Sequence, residues 1–461
     1  MQLLGYDVGS SSIKACLLDA STGNVIASAA SPKTELAIQS PKKGWAEQDP
    51  EVWWHHIKKS TALILDSEAA NPADIAGIGI SYQMHGLVIV DEQHKVLHPA
   101  IIWCDGRAVE IGNQAFKDLG SEFCLEHYLN SPANFTASKL RWVRENKPEI
   151  FSKIHKVMLP GDYIAMKLTG DIRTSVSGLS EGILWDYQSN DIAYKLLAHY
   201  GIPAELLPEY DPNFAVTGEL NKEGADELGL TSGIPIGYRA GDQPNNALSL
   251  NVLDPGEVAA TAGTSGVIYG VTDKPLYDAK SRVNTFVHVN NDKGHPRYGV
   301  LLCINGTGIQ NSWLKNTVFD DRYSYDQMNE RAAEVPVGSE GVRVLPFGNG
   351  PERVLQNRDI GAMLRNINFN RHGDAHLMRA VQEGIAFSLN YGLQVMRQMG
   401  MSIDTIRVGS DNMFQSPLFR EVFTNVTGAT VELYNSNGAL GAAIGAGLGA
   451  SVFKDRKEAF K

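Results

Sequence analysis

Three short stretches of this chain carry residue types that suit one reaction. The first is Asp242 in Gly241-Asp242-Gln243, an acid between a glycine and a carboxamide inside a turn-rich passage over residues 236–246. The second and third are Asp7-Val8-Gly9-Ser10-Ser11-Ser12-Ile13-Lys14 and Thr261-Ala262-Gly263-Thr264-Ser265-Gly266. Each of these puts glycine and hydroxyl residues at a hairpin turn, where successive backbone N–H groups can hold phosphate oxygens. Asp7 has the charge to hold a hydrated magnesium ion. Phosphoryl transfer asks little covalent chemistry of a protein, so one carboxylate base, a metal and oriented N–H donors form a sufficient set. Taken singly, each turn is equally an ordinary tight hairpin, and Asp242 a turn-capping aspartate. Two such turns on either side of one acid favour the nucleotide reading. No Gly-x-x-x-x-Gly-Lys-Ser/Thr is present, which excludes a P-loop.

A second group of candidates follows strand-like runs. The apolar stretch over residues 74–81 reads as a buried parallel strand and ends in Tyr82-Gln83-Met84-His85-Gly86. Ligands of open α/β sheets collect at such carboxyl ends. A short strand over 101–103 likewise runs into Trp103-Cys104-Asp105-Gly106-Arg107. An aromatic ring beside fixed polar groups suits a sugar pocket, and a surface turn with one ion pair is the alternative. His85 is open to either reading, ligand or satisfied loop histidine.

The elements that must position these residues recur twice. Residues 3–8, 13–19 and 25–30 read as an antiparallel meander with turns at 9–12 and 21–24. Asp49-Pro50-Glu51 supplies a helix cap, a proline at the first position and an acid in the first turn, so a long helix starts there. Residues 110–227 are chiefly helical, most clearly over 138–146 and 191–200, with turns at 130–134 and 175–180. Then strands over 258–262, 267–271 and 298–304 and a helix over 376–399 are expected. A strand over 405–408 ends in Gly409-Ser410-Asp411-Asn412, followed by a helix over 417–427, a strand over 430–433 and a glycine-alanine helix from Ala439. This order predicts two similar α/β domains facing a cleft, residues 1–245 and 246–461, with the boundary in the Asn- and Pro-containing stretch 245–254. Paired hairpins in paired domains suit a nucleotide clamped from both sides, as in the actin and hexokinase architecture.

Length and charge set the outer bounds. A chain of 461 residues is too long for one ordinary core. A net charge of -11 supplies no basic field for nucleic acid or an anionic membrane surface, so phosphate binding must be local. Cys16, Cys104, Cys124 and Cys303 lie far apart and read as reduced core residues of a cytoplasmic protein. Strand-like sequence from Leu3 leaves no room for a secretory signal, and the run 439–452 is too short and glycine-rich to span a bilayer.

Several of these stretches together resemble the FGGY carbohydrate kinases. They are Asp7 to Lys14, Gly44-Trp45-Ala46-Glu47-Gln48-Asp49-Pro50-Glu51-Val52-Trp53-Trp54, Gln83-Met84-His85-Gly86, Trp103-Cys104-Asp105-Gly106-Arg107, Gly263-Thr264-Ser265-Gly266 and Gly438-Ala439-Leu440-Gly441-Ala442-Ala443. Phe135-Thr136-Ala137-Ser138-Lys139-Leu140-Arg141-Trp142-Val143 is similar to the family's first signature, with Asn134 in place of its usual leading residue. Gly361-Ala362-Met363-Leu364-Arg365 is similar to the second, with Arg365 where a glycine is usual. Residues 408–412 lack the family's usual glycine run. Members commonly continue through another helical stretch where this chain stops at Lys461. Met84-His85 resembles the xylulokinase branch, whereas Gln243 resembles the glycerol kinase branch.

The resemblance implies two ribonuclease H-like domains, with ATP held mainly by the second and a ketose mainly by the first. It implies Asp242 as general base and Asp7 as a magnesium or phosphate partner. Gln83, Met84, His85, Trp103, Asp105 and Gln243 would line the sugar. Gly9, Ser10, Ser11, Lys14, Gly263, Thr264 and Ser265 would cradle phosphates, and Gly409 with Asn412 would lie near the adenosine. The expected reaction is ATP- and Mg2+-dependent phosphorylation of a ketose, D-xylulose to D-xylulose 5-phosphate. Ribulose, gluconate or glycerol as acceptor is the alternative, and an actin-like nucleotide-driven switch is a reading from another class. Assembly is left open, a homodimer included.

Overall fold

The computed structural model describes all residues except Asn357, Asp359 and Asp411. The chain forms two compact units. The first gathers residues 1–251, 286–297 and 437–461, and the second 252–285 and 298–436. The last helix packs on the first unit's sheet and groups with it.

In the first unit, β1 (Gln2–Val8), β2 (Ile13–Asp19) and β3 (Val25–Ser31) form the expected antiparallel meander. The helix α1 (Pro50–Leu65) crosses over to β4 (Ile75–Tyr82), which pairs parallel with β1. Its start is dictated locally: Asp49 accepts the Glu51 N–H and Pro50 needs no hydrogen-bond acceptor in the first turn. The helices that follow include α2 (Thr136–Asn146), α3 (Pro160–Thr169) and α4 (Val176–Glu181), and then come β5 (Ile236–Gly241) and α5 (Asp242–Ser249). The sheet order is β5-β4-β1-β2-β3.

The second unit repeats that order. Strands β6 (Glu257–Ala262), β7 (Gly266–Thr272), β8 (Asn284–Val287) and β9 (Tyr298–Ile304) precede the long helix α6 (Asp374–Gln398). Then come β10 (Thr405–Gly409), α7 (Pro417–Thr427) and β11 (Thr430–Tyr434), after which α8 (Gly438–Gly449) belongs to the first unit again. The sheet runs β8-β9-β7-β6-β10-β11. Apart from the edge strand β8, each position matches its counterpart in the first sheet: β6 and β7 antiparallel, β7 and β9 antiparallel, β10 and β11 parallel additions beside β6. A hairpin needs only a short turn, whereas each parallel addition needs a crossover, which α1 and α6 supply.

Glycines explain how α8 docks. It packs on β1, β4 and β5, and a side chain at Gly5 or Gly79 would overlap the backbone of Ala439 or Ala442. A Cβ at Gly237 would lie 2.7 Å from the Ala446 carbonyl. The glycine-alanine composition of α8 is thus the complement of glycines on the sheet. Among the described residues no helix is long and apolar enough to cross a membrane.

Local structure departs from expectation in five places. The passage 236–246 contains no turn: β5 runs directly into α5, because Asp242 and Pro244 are helix-starting residues after the Gly241 cap. The stretch 175–180 is not a turn either, since Ser175 accepts the Gly178 N–H and caps α4. Residues 191–192 form a strand against Trp185–Asp186, and the helix begins only at Tyr194. The strand expected over 101–103 ends at Ile101, which leaves Cys104 exposed rather than in the core. Cys303 is half-buried, while Cys16 and Cys124 are buried as expected.

Candidate active site

Asp242 is the first residue of α5, partly buried, where its carboxylate meets the N-terminal helix dipole. Burial and, next, the carboxylate of Asp7 push its pKa up to about 7, against the backbone and side chain of Gln243, which lower it by hydrogen bonding. Asp7 comes from the carboxyl end of β1, pairs across the hairpin with Lys14 and accepts the Ser81 hydroxyl at 2.9 Å. Its other oxygen faces the start of α8, where a Cβ on Gly438 would stand 2.5 Å from it. Asn245, fully buried on α5, donates to the Gly438 carbonyl at 2.8 Å and holds that junction.

The turn after β1 closes with the Gly9 N–H donating to the Ser12 carbonyl at 3.1 Å. Gln48 ties it to the neighbouring loop, because its amide donates to the Ser10 carbonyl at 2.7 Å while its oxygen accepts from Trp53 and, at 3.4 Å, from Gln83. Gln83 also donates its backbone N–H to the Val8 carbonyl. Ser11 and Lys14 are exposed. Trp103, 40% exposed, lays its indole N–H 3.3 Å from the Ser10 hydroxyl. Sequence-distant candidates thus converge: Ser10, Gln83 and Trp103 belong to one hydrogen-bonded neighbourhood.

Loop 83–86 is held in a conformation side chains seldom adopt. His85 has φ 62, in the left-handed region. The Glu181 carbonyl accepts from its Nδ1 at 2.9 Å, which places the proton on that nitrogen, and its ring packs edge-on against Phe135 at 4.8 Å. Lys139 pins the loop from below, donating to the carbonyls of His85 at 2.8 Å and Ile102 at 3.0 Å. Its ammonium is fully buried, and burial lowers its pKa to about 7. Met84 is buried beside Gly241, where a Cβ would stand 2.5 Å from Met84 Cγ.

Asp105 is fully buried and its oxygens are engaged by the chain itself. They accept from the N–H groups of Ala46 at 2.5 Å and Arg107 at 2.9 Å, and from the Arg107 guanidinium at 2.7–3.0 Å. Arg107 also bridges to Glu47 at 2.7 Å and lies over the rings of Trp45 and Trp142. Within this unit Asp105 therefore holds the loop that carries Trp103.

The second unit assembles the other turn. The Gly263 carbonyl accepts from Gly308 N–H at 2.7 Å and the Thr307 hydroxyl at 3.0 Å, and the Ser265 hydroxyl donates to Asn305. Asn412, at φ 55, sets its amide 3.4–3.7 Å from the position of a Cβ on Gly263. Gly409 ends β10 beside this turn's strand β6. Asp411 lies outside the described residues.

Three pairs of residues were not foreseen as parts of the site. Lys139 and Glu181 are charged residues set in buried helices, and a lysine inside the apolar face of α2 was the available signal. Arg239 and Asp162 form a buried pair at 2.9 Å behind β5. Thr307 and Gly308 buttress Gly263, and the Gly306-Thr307-Gly308 run after β9 was the signal there. Magnesium needs one or two hard oxygen donors beside nucleotide phosphates, and Asp7, with one oxygen on Ser81 and the other toward α8, fits that need.

The family model described as the N-terminal domain of the FGGY family of carbohydrate kinases matches residues 2–249. Its C-terminal counterpart matches residues 258–450. The chain is 29% identical over 465 residues to the xylulose kinase of Bacillus subtilis (strain 168), covering 99% of this chain and 90% of that one. The crystal structure of xylulose kinase from Rhodospirillum rubrum matches with TM-score 0.87 at 26% identity, over 99% and 90% of the two chains. A gluconate kinase from Lactobacillus acidophilus shares the fold, with TM-score 0.89 at 23% identity over 99% and 91%.

Proposed function

Because the chain belongs to the FGGY family of carbohydrate kinases, we propose that its acceptor is a ketose phosphorylated on the terminal hydroxyl, D-xylulose giving D-xylulose 5-phosphate. It is a sugar kinase, which removes the nucleotide-driven switch as a competing reading. The observation that carries the proposal is Asp242: a carboxylate with its pKa near 7, in the same unit as the strained loop 83–86 and Trp103. A base so tuned is half-ionised at neutral pH and accepts a hydroxyl proton readily.

In this reading Asp242 takes the proton of the terminal hydroxyl, and Gln243 orients the Asp242 carboxylate. Met84 and His85 shape the sugar site, Gln83 and Trp103 contribute polar and aromatic contacts, and Asp105 acts by fixing the Trp103 loop. The first unit holds the sugar and the second most of the nucleotide. Gly263, Thr264 and Ser265 hold the terminal phosphates of ATP, with Gly409 and Asn412 toward the adenosine and Gly9, Ser10, Ser11 and Lys14 toward the transferred phosphoryl group. Asp7 would hold Mg2+, which when bound offsets charge on the phosphate oxygens.

A coupled ADP-release assay across D-xylulose, ribulose, gluconate and glycerol tests the acceptor. D-xylulose is expected to have the highest kcat/KM, and a clear win by another acceptor overturns the assignment. The fold shared with gluconate kinase leaves this decision to the assay.

A further inference from the structure

Glu181 is a buried side chain near loop 83–86 that the reaction described above does not use. It ends α4, is 2% exposed, and its carboxyl oxygens have at most a loose contact with the buried Tyr82 hydroxyl that falls short of hydrogen-bond geometry. Its Oε2 would lie 2.8 Å from a Cβ on Gly241, the residue before Asp242, at the same point that Met84 Cγ approaches. Its backbone carbonyl accepts from His85. The carboxyl therefore lies beside Met84 and Gly241, the residue that precedes the base. No cation neutralises it: Lys139 spends its ammonium on the carbonyls of His85 and Ile102, and Arg239 pairs with Asp162.

A buried carboxyl without partners destabilises a fold, and such groups persist where a ligand completes them. We propose that Glu181 is a specificity-determining residue of the acceptor site, its carboxyl hydrogen-bonding a hydroxyl of the bound polyhydroxylated substrate. The inference rests on the sugar-kinase reading of this pocket and adds one contact to it. Burial first, and then Asp242 and Asp162, hold the Glu181 carboxyl well above the usual carboxylate range, while Tyr82 and Lys139 act in the opposite direction. Burial favours the protonated form, in which the carboxyl donates one hydrogen bond and accepts another, both of which a hydroxyl can return. An acceptor lacking the matching hydroxyl would leave Glu181 unpaired and bind more weakly.

The test compares wild type, E181L and E181Q in steady-state kinetics with D-xylulose and ATP varied separately, alongside thermal melts. E181L is expected to raise the KM for sugar roughly 10- to 100-fold, with the KM for ATP unchanged and the Tm equal to or above wild type, because an unpaired buried carboxyl is gone. E181Q, which keeps a donor and an acceptor, is expected to recover most of the sugar affinity. An unchanged sugar KM in E181L overturns the proposal. So does a fall in Tm with both KM values raised together, which marks a structural residue. If wild type phosphorylates no acceptor in the panel, the reading of the preceding subsection fails and takes this one with it, whereas an active wild type with indifferent variants refutes Glu181 alone.

Discussion

Replacing Asp242 with Asn separates catalysis from stability. Asn keeps the shape of the carboxylate and removes its proton affinity, so transfer is expected to fall by about 10²- to 10⁴-fold. The same change should stabilise the fold at alkaline pH. In the folded chain the pKa is raised from 3.8 to about 7 by burial and by Asp7. The native state therefore binds more protons than the unfolded chain between those values, and stability falls as pH rises through that window. At about 1.4 kcal/mol per pKa unit the full cost of ionising Asp242 is about 4 kcal/mol. Solvent reaching the partly buried group reduces this, leaving about 2–4 kcal/mol to be regained by Asn at pH 8. Urea unfolding of both proteins at pH 5 and pH 8 reads the difference: about a third of the full effect at pH 5, which lies little more than a pH unit into the window, and nearly all of it at pH 8, both favouring D242N. The same ionisation predicts that wild-type kcat/KM drops tenfold per pH unit below about 7. A D242N enzyme turning over near the wild-type rate, or one equally destabilised at both pH values, would refute the argument.

Three other perturbations follow from single contacts. A methyl group at Gly438 would stand 2.5 Å from Asp7 Oδ2, so G438A should displace Asp7 and raise the Mg2+ concentration needed for half-maximal rate by about tenfold, while sugar binding by calorimetry is unchanged. Removing the Asp105 charge leaves Arg107, 1% exposed, paired only with Glu47; D105N is expected to cost about 3–5 kcal/mol in urea unfolding, with activity lost through the loop that carries Trp103. Thr307 donates to the Gly263 carbonyl at 3.0 Å, so T307V should loosen the phosphate turn and raise the KM for ATP by about 3- to 10-fold with the sugar KM unaltered.

Much of this molecule was legible because the signals are local. The meander 2–31, the capped helix at Asp49 and the buried run before Gln83 follow from periodicity and capping, which act over a few residues. The two glycine-hydroxyl turns were legible for the same reason. Short elements between 100 and 200 were read less well: Ser175 caps α4 through the Gly178 N–H, Asp191 pairs with Asp186 in a two-residue ladder, and Ala100–Ile101 pairs with the distant Glu47–Gln48, none of which periodicity marks. Asp242 itself was read as a turn, although the Asp-x-Pro sequence that begins α5 is a helix-start signal.

By itself, then, the sequence pointed to the reaction class: an acid between two glycine-hydroxyl turns, in a strand-helix order that recurs, with stretches that resemble the FGGY carbohydrate kinases. The tertiary structure alone decided the acidity of Asp242, the part Asp105 plays in holding a loop, and the burial of the Glu181 carboxyl with its hydrogen-bonding capacity largely unmet. Residue type and spacing specify which groups are available, but desolvation and unpaired hydrogen-bonding capacity depend on what the folded chain places around each group. Asp7 and Asp242, 235 positions apart in the numbering, influence each other only because β1 and β5 carry them to the same sheet edge of carboxyl ends, with β4 between.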